Sequence, residues 1–178
     1  MIDKRYATTS NFAGTAFEQG IDYVCLHQIA AAKLKNASRL LESRRPGYRL
    51  VIFDALRTVS QQKTIWNIVK GTDRARYVAD PRKGSIHSFG FAVDLSIVDR
   101  QGKALDMGTD FDSFTARAEP RRETELLKSG QLTRHQVVDR RLLRDVMRKA
   151  GFEPLSIEWW HYDALPPQLV RSRYRQLP

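Results

Sequence analysis

The chain has 178 residues, of which 42% are hydrophobic, and its 30 Lys and Arg against 20 Asp and Glu give a formal net charge of +10. This length and apolar content favour one globular domain that buries roughly 70% of the surface its unfolded chain exposes, so we expect a single domain over 1–178. No window approaches the ~18 apolar residues that cross a bilayer and the first residues lack a signal-peptide pattern, which excludes a membrane span and predicts a cytoplasmic location.

Cys25 is the only cysteine of the chain. It has no partner for an internal disulfide, and we expect it to be a reduced residue of the core rather than a catalytic thiol.

The first third of the chain predicts a helix followed by a strand. Apolar residues recur at helical spacing up to Pro46-Gly47, which should end that helix. Tyr48 to Phe53 is then typical of a buried strand, with Asp54 and Arg57 delivered at its C-terminal end. The apolar positions of the helix are Leu26, Ala30, Leu34, Ala37 and Leu41.

The middle of the chain contains one further helix and one further strand. Thr58 and Gln61 have the spacing of a capping box for a helix that runs to Gly71. A polar loop over 72–83 precedes a strand over 91–98. A turn at 99–102 and a long irregular stretch to about Pro120 follow, and such stretches often carry function.

The last third predicts a helix and a final core strand. Thr133 and Gln136 offer a second capping box, and the helix should stop at Gly151. Leu155 to Trp160 reads as the last strand, so the element order is α+β. The helix has a predicted apolar stripe of Val138, Leu142 and Val146, and a predicted solvated basic face of Arg140, Arg141, Arg144, Arg148 and Lys149.

Two motifs carry the chemistry. Ser85 to Asp94 reads SIHSFGFAVD and 158–161 reads EWWH, which together supply two imidazoles and two carboxylates. A catalytic zinc site needs three protein ligands, a position for water and an unligated base. His87, Asp94 and His161 can be the ligands of one Zn²⁺ per chain, with Glu158 as the base.

The backbone around these motifs also has a predicted shape. Gly90 removes a side chain where the chain turns from His87 into the next strand. In that strand Asp94 lies on the face of small residues, which leaves room for a metal and substrate. Glu158 and His161 are three residues apart and would point to opposite faces of a regular strand, so we expect the chain to leave strand geometry between them.

The two motifs resemble those of a known family. SxHxxGxAxD followed by ExxH is similar to the zinc D,D-dipeptidases of peptidoglycan metabolism, most of all to the vancomycin-resistance type of the M15 peptidases. The resemblance extends over nearly the whole chain, from DKRYATTSNFAG at 3–14 to GFEPLSIEWWHY at 151–162. It implies a single domain of the hedgehog and D,D-peptidase type, with a central, mainly antiparallel sheet flanked by helices.

The resemblance also implies roles for individual residues. His87, Asp94 and His161 would bind Zn²⁺, Glu158 would be the general base and acid, and Arg57 would stabilise the oxyanion. The free amine of a small dipeptide substrate would be bound by Tyr6 and Asp112, and its carboxylate near Ser85. The activity implied is hydrolysis of free D-alanyl-D-alanine. The sequence does not distinguish among antibiotic resistance, cell-wall turnover and nutrient recovery as its biological role. A peptidoglycan enzyme also works outside the inner membrane, so a periplasmic location after removal of an export signal is the alternative.

The chain departs from the family around the arginine. The family usually has a glycine and an aromatic residue before it and a proline after it, whereas Ala55, Leu56 and Thr58 occupy those places here. The side-chain preference could therefore differ from alanine.

Other readings of these residues stay open at this point. The zinc chemistry also fits a D,D-carboxypeptidase or endopeptidase acting on peptidoglycan stems, which would not need a counter-ion for a free amine. Arg57 could simply pair with Asp54. A net charge of +10 also invites a nucleic-acid or anionic-surface binder, but no nucleic-acid motif is present and no such partner is expected. We expect His27 and His135 not to be ligands, and the sequence predicts no oligomeric state.

Overall fold

The protein, seen here in a computed structural model that describes residues 1–17 and 23–178, has the predicted α+β architecture. Among the described residues the helices are α1 (Gln28–Arg44), α2 (Val59–Val69), α3 (Glu123–Lys128), α4 (Arg134–Lys149) and α5 (Pro167–Arg173). The strands are β1 (Arg49–Asp54), β2 (Ala92–Val98), β3 (Glu153–Pro154) and β4 (His161–Asp163).

The four strands form one antiparallel sheet in the order β1-β2-β4-β3. Every residue of β2 is buried, which fits its place between two other strands. Helix α1 packs on β1 and on α4, and α4 contacts β3. Among the described residues no helix has both the length and the apolar character required to cross a bilayer.

The register of the sheet places polar side chains in one row. Asp94 of β2 lies opposite Asp54 of β1 on one side and opposite His161 of β4 on the other. An irregularity between Ile52 and Asp54 shifts β1 so that Asp54 reaches this position. Directly opposed residues have Cβ atoms about 4.5 to 5.5 Å apart, so the row is a compact polar strip on an otherwise apolar sheet.

The N-terminal segment extends the sheet beyond β1. Ile2 forms a parallel bridge with Ile52, and the Asp3 amide donates to the Ile52 carbonyl oxygen at 2.8 Å. The chain then enters a 3₁₀ turn over Arg5–Ala7 that buries Tyr6. The pairing therefore brings Tyr6 to the end of β1 where Asp54 lies.

The predicted helix starts are confirmed in detail. Both capping boxes form, with Thr58 and Gln61 at the start of α2 and Thr133 and Gln136 at the start of α4. His27 caps α1, since its Nδ1 accepts from the Ile29 amide at 3.3 Å.

The predicted strand over Leu155 to Trp160 is wrong. The strands are shorter and flank this segment, with β3 ending at Pro154 and β4 beginning at His161. Trp159 and Trp160 are adjacent and both buried, with ring planes at 87°. The segment between these strands contains bends, and in it Trp159 Nε1 donates to the Thr109 hydroxyl at 2.8 Å while the Trp160 ring packs against Phe111. The expected loss of strand geometry before His161 is confirmed.

The predicted faces of α4 are also partly wrong. Val138 is 53% exposed, whereas Arg140, expected in solvent, is 1% exposed. Its Nε donates to the Met107 carbonyl oxygen at 2.6 Å and its Nη2 to that of Arg117 at 2.8 Å. Carbonyl groups of a buried loop need donors, and Arg140 supplies them from the helix. The hydrophobic periodicity of the helix could not predict the burial of Arg140, because the carbonyl groups that it binds lie outside the helix.

Cys25 is exposed, which corrects its predicted place in the core. Its carbonyl oxygen accepts from the Leu56 amide at 3.1 Å. The backbone is therefore fixed against the loop after β1, while the residue remains exposed.

Candidate active site

The three predicted metal ligands come from neighbouring elements of the sheet. Asp94 lies on β2 and His161 opposite it on β4. His87 lies on a 3₁₀ turn over Ile86–Phe89 that leads into β2. Asp94 precedes His161 by 67 residues in the sequence and His87 precedes it by 74. The pairing of β2 with β4 brings all three side chains together.

The ligand atoms have the spacing of a tetrahedral metal site. His161 Nδ1 is 3.0 Å from Asp94 Oδ1 and 3.2 Å from His87 Nε2, and His87 Nε2 is 3.4 Å from Asp94 Oδ1. Tetrahedral zinc with bonds of about 2.0 to 2.1 Å requires ligand atoms about 3.3 Å apart. The three side chains therefore fit a divalent ion that leaves one coordination position open, and within the described residues they are the cluster that could hold a metal.

Hydrogen bonds on the far side of each ring fix which nitrogen faces the cluster. His87 Nδ1 lies 2.7 Å from the Ala55 carbonyl oxygen, which can only accept, so Nδ1 carries the proton and Nε2 is free. His161 Nε2 lies 3.0 Å from Asp163 Oδ1, which leaves Nδ1 free. Such partners orient metal-binding histidines and increase their basicity. Asp163 was missed in the sequence, although it follows His161 at the two-residue spacing that places both on one face of a strand.

Gly90 has the conformation that its predicted turn requires. Its φ is +72°, and a Cβ built there would lie 3.0 Å from the His27 amide nitrogen. The His27 amide also donates to the Gly90 carbonyl oxygen at 2.8 Å. A side chain at this position would push the start of α1 away from the turn that carries His87.

Glu158 lies beside the triad without joining it. Its carboxylate is buried, and Oε2 is 4.0 Å from His161 Nδ1. Burial raises the pKa of Glu158 to about 8, with the charge of His161 opposing the shift. A carboxyl group with a pKa near neutrality can accept and return a proton during a reaction.

Arg57 is buried and rigidly held. Its Nε and Nη2 donate to Asp54 Oδ2 at 3.1 and 2.6 Å, and its Nη1 donates to Gln62 Oε1 at 2.9 Å. Nη2 is also 3.8 Å from Asp94 Oδ2. Burial alone would lower the pKa of Arg57, but the Asp54 carboxylate outweighs it and raises the pKa. Arg57 thus forms the pair with Asp54 that the sequence left open as the alternative, and it also faces Asp94 of the site. Gln62 gave no signal in the sequence because it lies among the polar residues of α2.

Tyr6 and Asp112 form the pair that the resemblance implies. Tyr6 donates its hydroxyl to Asp112 Oδ1 at 3.2 Å, while Oδ2 is buried without a hydrogen-bond partner among the described residues. Burial, and then the charge of Asp94, raise the pKa of Asp112 to about 8. Asp112 also has a φ of +59°, which is unusual for a residue other than glycine. An orphaned carboxylate oxygen in a strained loop is suited to a cationic ligand.

All eight predicted site residues line one cavity of about 280 Å³, close to the lower end of ordinary ligand pockets. Ser85, at the start of the 3₁₀ turn, is buried in its wall. Trp160 also contributes to the wall. His27 and His135 are not among the residues that line this cavity: His27 caps α1 and stacks on Phe91, and His135 is an exposed residue near Asp139.

Comparisons with known proteins identify the family of the chain. The model of the M15 peptidase family described as D-Ala-D-Ala dipeptidase matches residues 1–178. A D-alanyl-D-alanine dipeptidase of Escherichia coli K12 is 32% identical over 91% of this chain and 77% of its own length. One from Enterococcus faecium is 30% identical over 90% and 83%, and one from Synechocystis is 27% identical over 81% and 70%. The chain therefore belongs to the D-Ala-D-Ala dipeptidase family of M15 peptidases, and it is a metallopeptidase.

Proposed function

We propose that this protein hydrolyses the free dipeptide D-alanyl-D-alanine to two D-alanines, with residues 1–178 as one catalytic domain. One Zn²⁺ per chain would be held by His87, Asp94 and His161. The observation that carries the proposal is the 3.0 to 3.4 Å spacing of their ligand atoms. The other ring nitrogen of each histidine is hydrogen-bonded, to the Ala55 carbonyl oxygen or to Asp163. The names of the curated relatives support the substrate.

Each remaining residue has a defined part in this chemistry. A bound zinc ion supplies Lewis acidity, which activates water and polarises the scissile carbonyl. Glu158 takes the proton of the attacking water and passes it to the leaving amine. Arg57, which Asp54 and Gln62 fix in place, stabilises the negative charge that develops on the carbonyl oxygen.

The Tyr6 and Asp112 pair selects a short substrate. Asp112 Oδ2 gains a partner when the free ammonium group of a dipeptide binds. An N-terminally extended peptide brings a neutral amide, so the ion pair is lost and Asp112 stays buried in its protonated form. The small cavity, of about 280 Å³, also favours a dipeptide over a longer peptide. A D,D-carboxypeptidase, which is the nearest alternative, would not need this buried acid as a partner for a free amine.

The proposal is tested by comparing three substrates: D-Ala-D-Ala, its N-acetylated form and a pentapeptide that ends in D-Ala-D-Ala. We expect cleavage of the free dipeptide alone, lost on chelation and restored by zinc. Equal or better cleavage of the blocked peptides would instead identify a carboxypeptidase.

A further inference from the structure

The cavity wall that carries Ser85 contains a second feature that the catalytic scheme does not use. Arg171, on α5, lines the cavity together with Ser85. Its Nε and Nη2 both donate to the carbonyl oxygen of Gly84, at 3.3 and 3.0 Å. This contact places the guanidinium beside the Gly84–Ser85 peptide, on a wall built from other elements than the Tyr6 and Asp112 pair.

The charge of Arg171 is not balanced by a carboxylate. Its described partner is a neutral carbonyl group, and none of the ion pairs among residues 1–17 and 23–178 involves it. Arg57 differs, since its guanidinium is committed to Asp54 and Gln62.

A third arginine of the wall, Arg76, is also committed elsewhere. It lies over the Tyr77 ring, with Cζ 4.8 Å from the centroid, and donates to the Tyr77 hydroxyl at 3.0 Å. That hydroxyl in turn donates to Glu119 at 3.0 Å. Arg171 is therefore the cavity-lining arginine bound only to a backbone carbonyl.

The acidic side chains that line the same cavity indicate what the Arg171 guanidinium could bind. The wall contains four acidic side chains, and those that are ionised would repel a negatively charged group, so such a group needs a cation to receive it. A dipeptide has such a group at its C-terminus, one residue beyond the scissile bond. An arginine fork matches a carboxylate and binds it through charge-assisted hydrogen bonds. The four acids are Asp94, Asp112, Glu158 and Asp163.

We infer that Arg171 is a specificity-determining residue that binds the terminal carboxylate of the substrate next to Ser85. The inference rests on the proposed dipeptidase function and adds to it a requirement for a free C-terminus. The enzyme should therefore discriminate against a dipeptide whose carboxylate is masked as an amide.

The test compares wild type, Arg171→Gln and Arg173→Gln on D-Ala-D-Ala and on its C-terminal amide. Arg173 is the matched control, since it lies on the same helix, is exposed and does not line the cavity. For Arg171→Gln we expect KM for the free acid to rise roughly tenfold or more, with a smaller change in kcat and little change on the amide. Arg171→Lys should recover part of the loss, and Arg173→Gln should behave as wild type. An unchanged preference for the acid in Arg171→Gln would overturn the inference.

A binding measurement separates this inference from the proposed function. Calorimetry of D-Ala-D-Ala with Glu158→Gln protein, with and without Arg171→Gln, does not depend on turnover. A Kd that rises roughly tenfold supports the contact and an unchanged Kd contradicts it. Wild-type protein that binds the dipeptide through Arg171 but does not hydrolyse it would contradict the proposed function alone.

Discussion

At the residue scale, the two candidate histidine ligands are set by what their outer nitrogens contact. Asp163 accepts from His161 Nε2 at 3.0 Å and leaves Nδ1 for the metal. We expect Asp163→Asn to weaken zinc binding about 10- to 100-fold, because an amide can present the wrong group to the ring and is a weaker acceptor. Competition with a chromophoric chelator measures this. Asp145→Asn, an exposed residue of α4, is the control, and equal zinc affinity of the two variants would contradict the assignment.

Asp112 provides a test that depends on pH. Its pKa is raised to about 8, from 3.8, mainly by burial. The folded protein therefore retains a proton that the unfolded chain loses above about pH 4, so this group lowers the free energy of unfolding as pH rises towards 8. In metal-free protein, Asp112→Asn should gain stability relative to wild type between pH 4.5 and 8.5. Thermal unfolding of wild type and Asp112→Asn at pH 4.5 and at pH 8.5 measures this gain. The same stability difference between the two proteins at both pH values would contradict the raised pKa of Asp112.

Arg57 should matter through the transition state. One fixed donor to an oxyanion contributes roughly 3 to 4 kcal/mol, so Arg57→Ala should lower kcat at least about a hundredfold. Because Arg57 also pairs with buried Asp54, a melting curve must show that the variant is folded under the assay conditions. A folded variant with nearly normal turnover would remove Arg57 from the mechanism.

At the element scale, the turn from His87 into β2 depends on Gly90. Gly90 and Gly130 both have a φ of +72°, but a Cβ at Gly130 would meet nothing within 4 Å, whereas at Gly90 it would meet the His27 amide at 3.0 Å. The backbone penalty of alanine, about 1 to 2 kcal/mol, is thus common to both positions. Gly90→Ala should be the more destabilising in thermal unfolding and should also weaken zinc binding. Similar effects of the two substitutions would show that the contact with α1 is unimportant.

The elements also show where prediction from sequence stops. The capping boxes at Thr58 and Thr133 and the turn at Gly90 were predictable because each depends on local chemistry. The strand expected at 155–160 was wrong, and the contacts that Trp159 and Trp160 make there, with Thr109 and Phe111 of a distant loop, cannot be read from the segment itself. Arg140 was misplaced because its partners, two carbonyl groups of a distant loop, cannot be read from the helix itself. Gln62 and Arg171 escaped notice for the same reason.

At the scale of the whole molecule, the site is a meeting point of distant segments. The N-terminal turn supplies Tyr6, the end of β1 leads to Arg57, β2 and β4 supply Asp94 and His161, and an irregular loop supplies Asp112. The antiparallel pairing of the central strands brings these segments together, so the site forms only when the sheet is folded. The net charge of +10 alone would have suggested a different class of protein.

The central claim is that two histidines and one aspartate bind a catalytic zinc ion. It is tested most directly by titrating metal-free wild type, Asp94→Asn and Glu158→Gln with zinc while assaying hydrolysis of D-Ala-D-Ala. We predict one tightly bound zinc per wild-type chain and activity that rises in step with it, a greatly weakened site in Asp94→Asn, and normal zinc binding without activity in Glu158→Gln. Full activity of metal-free protein, or undiminished zinc binding by Asp94→Asn, would contradict the account.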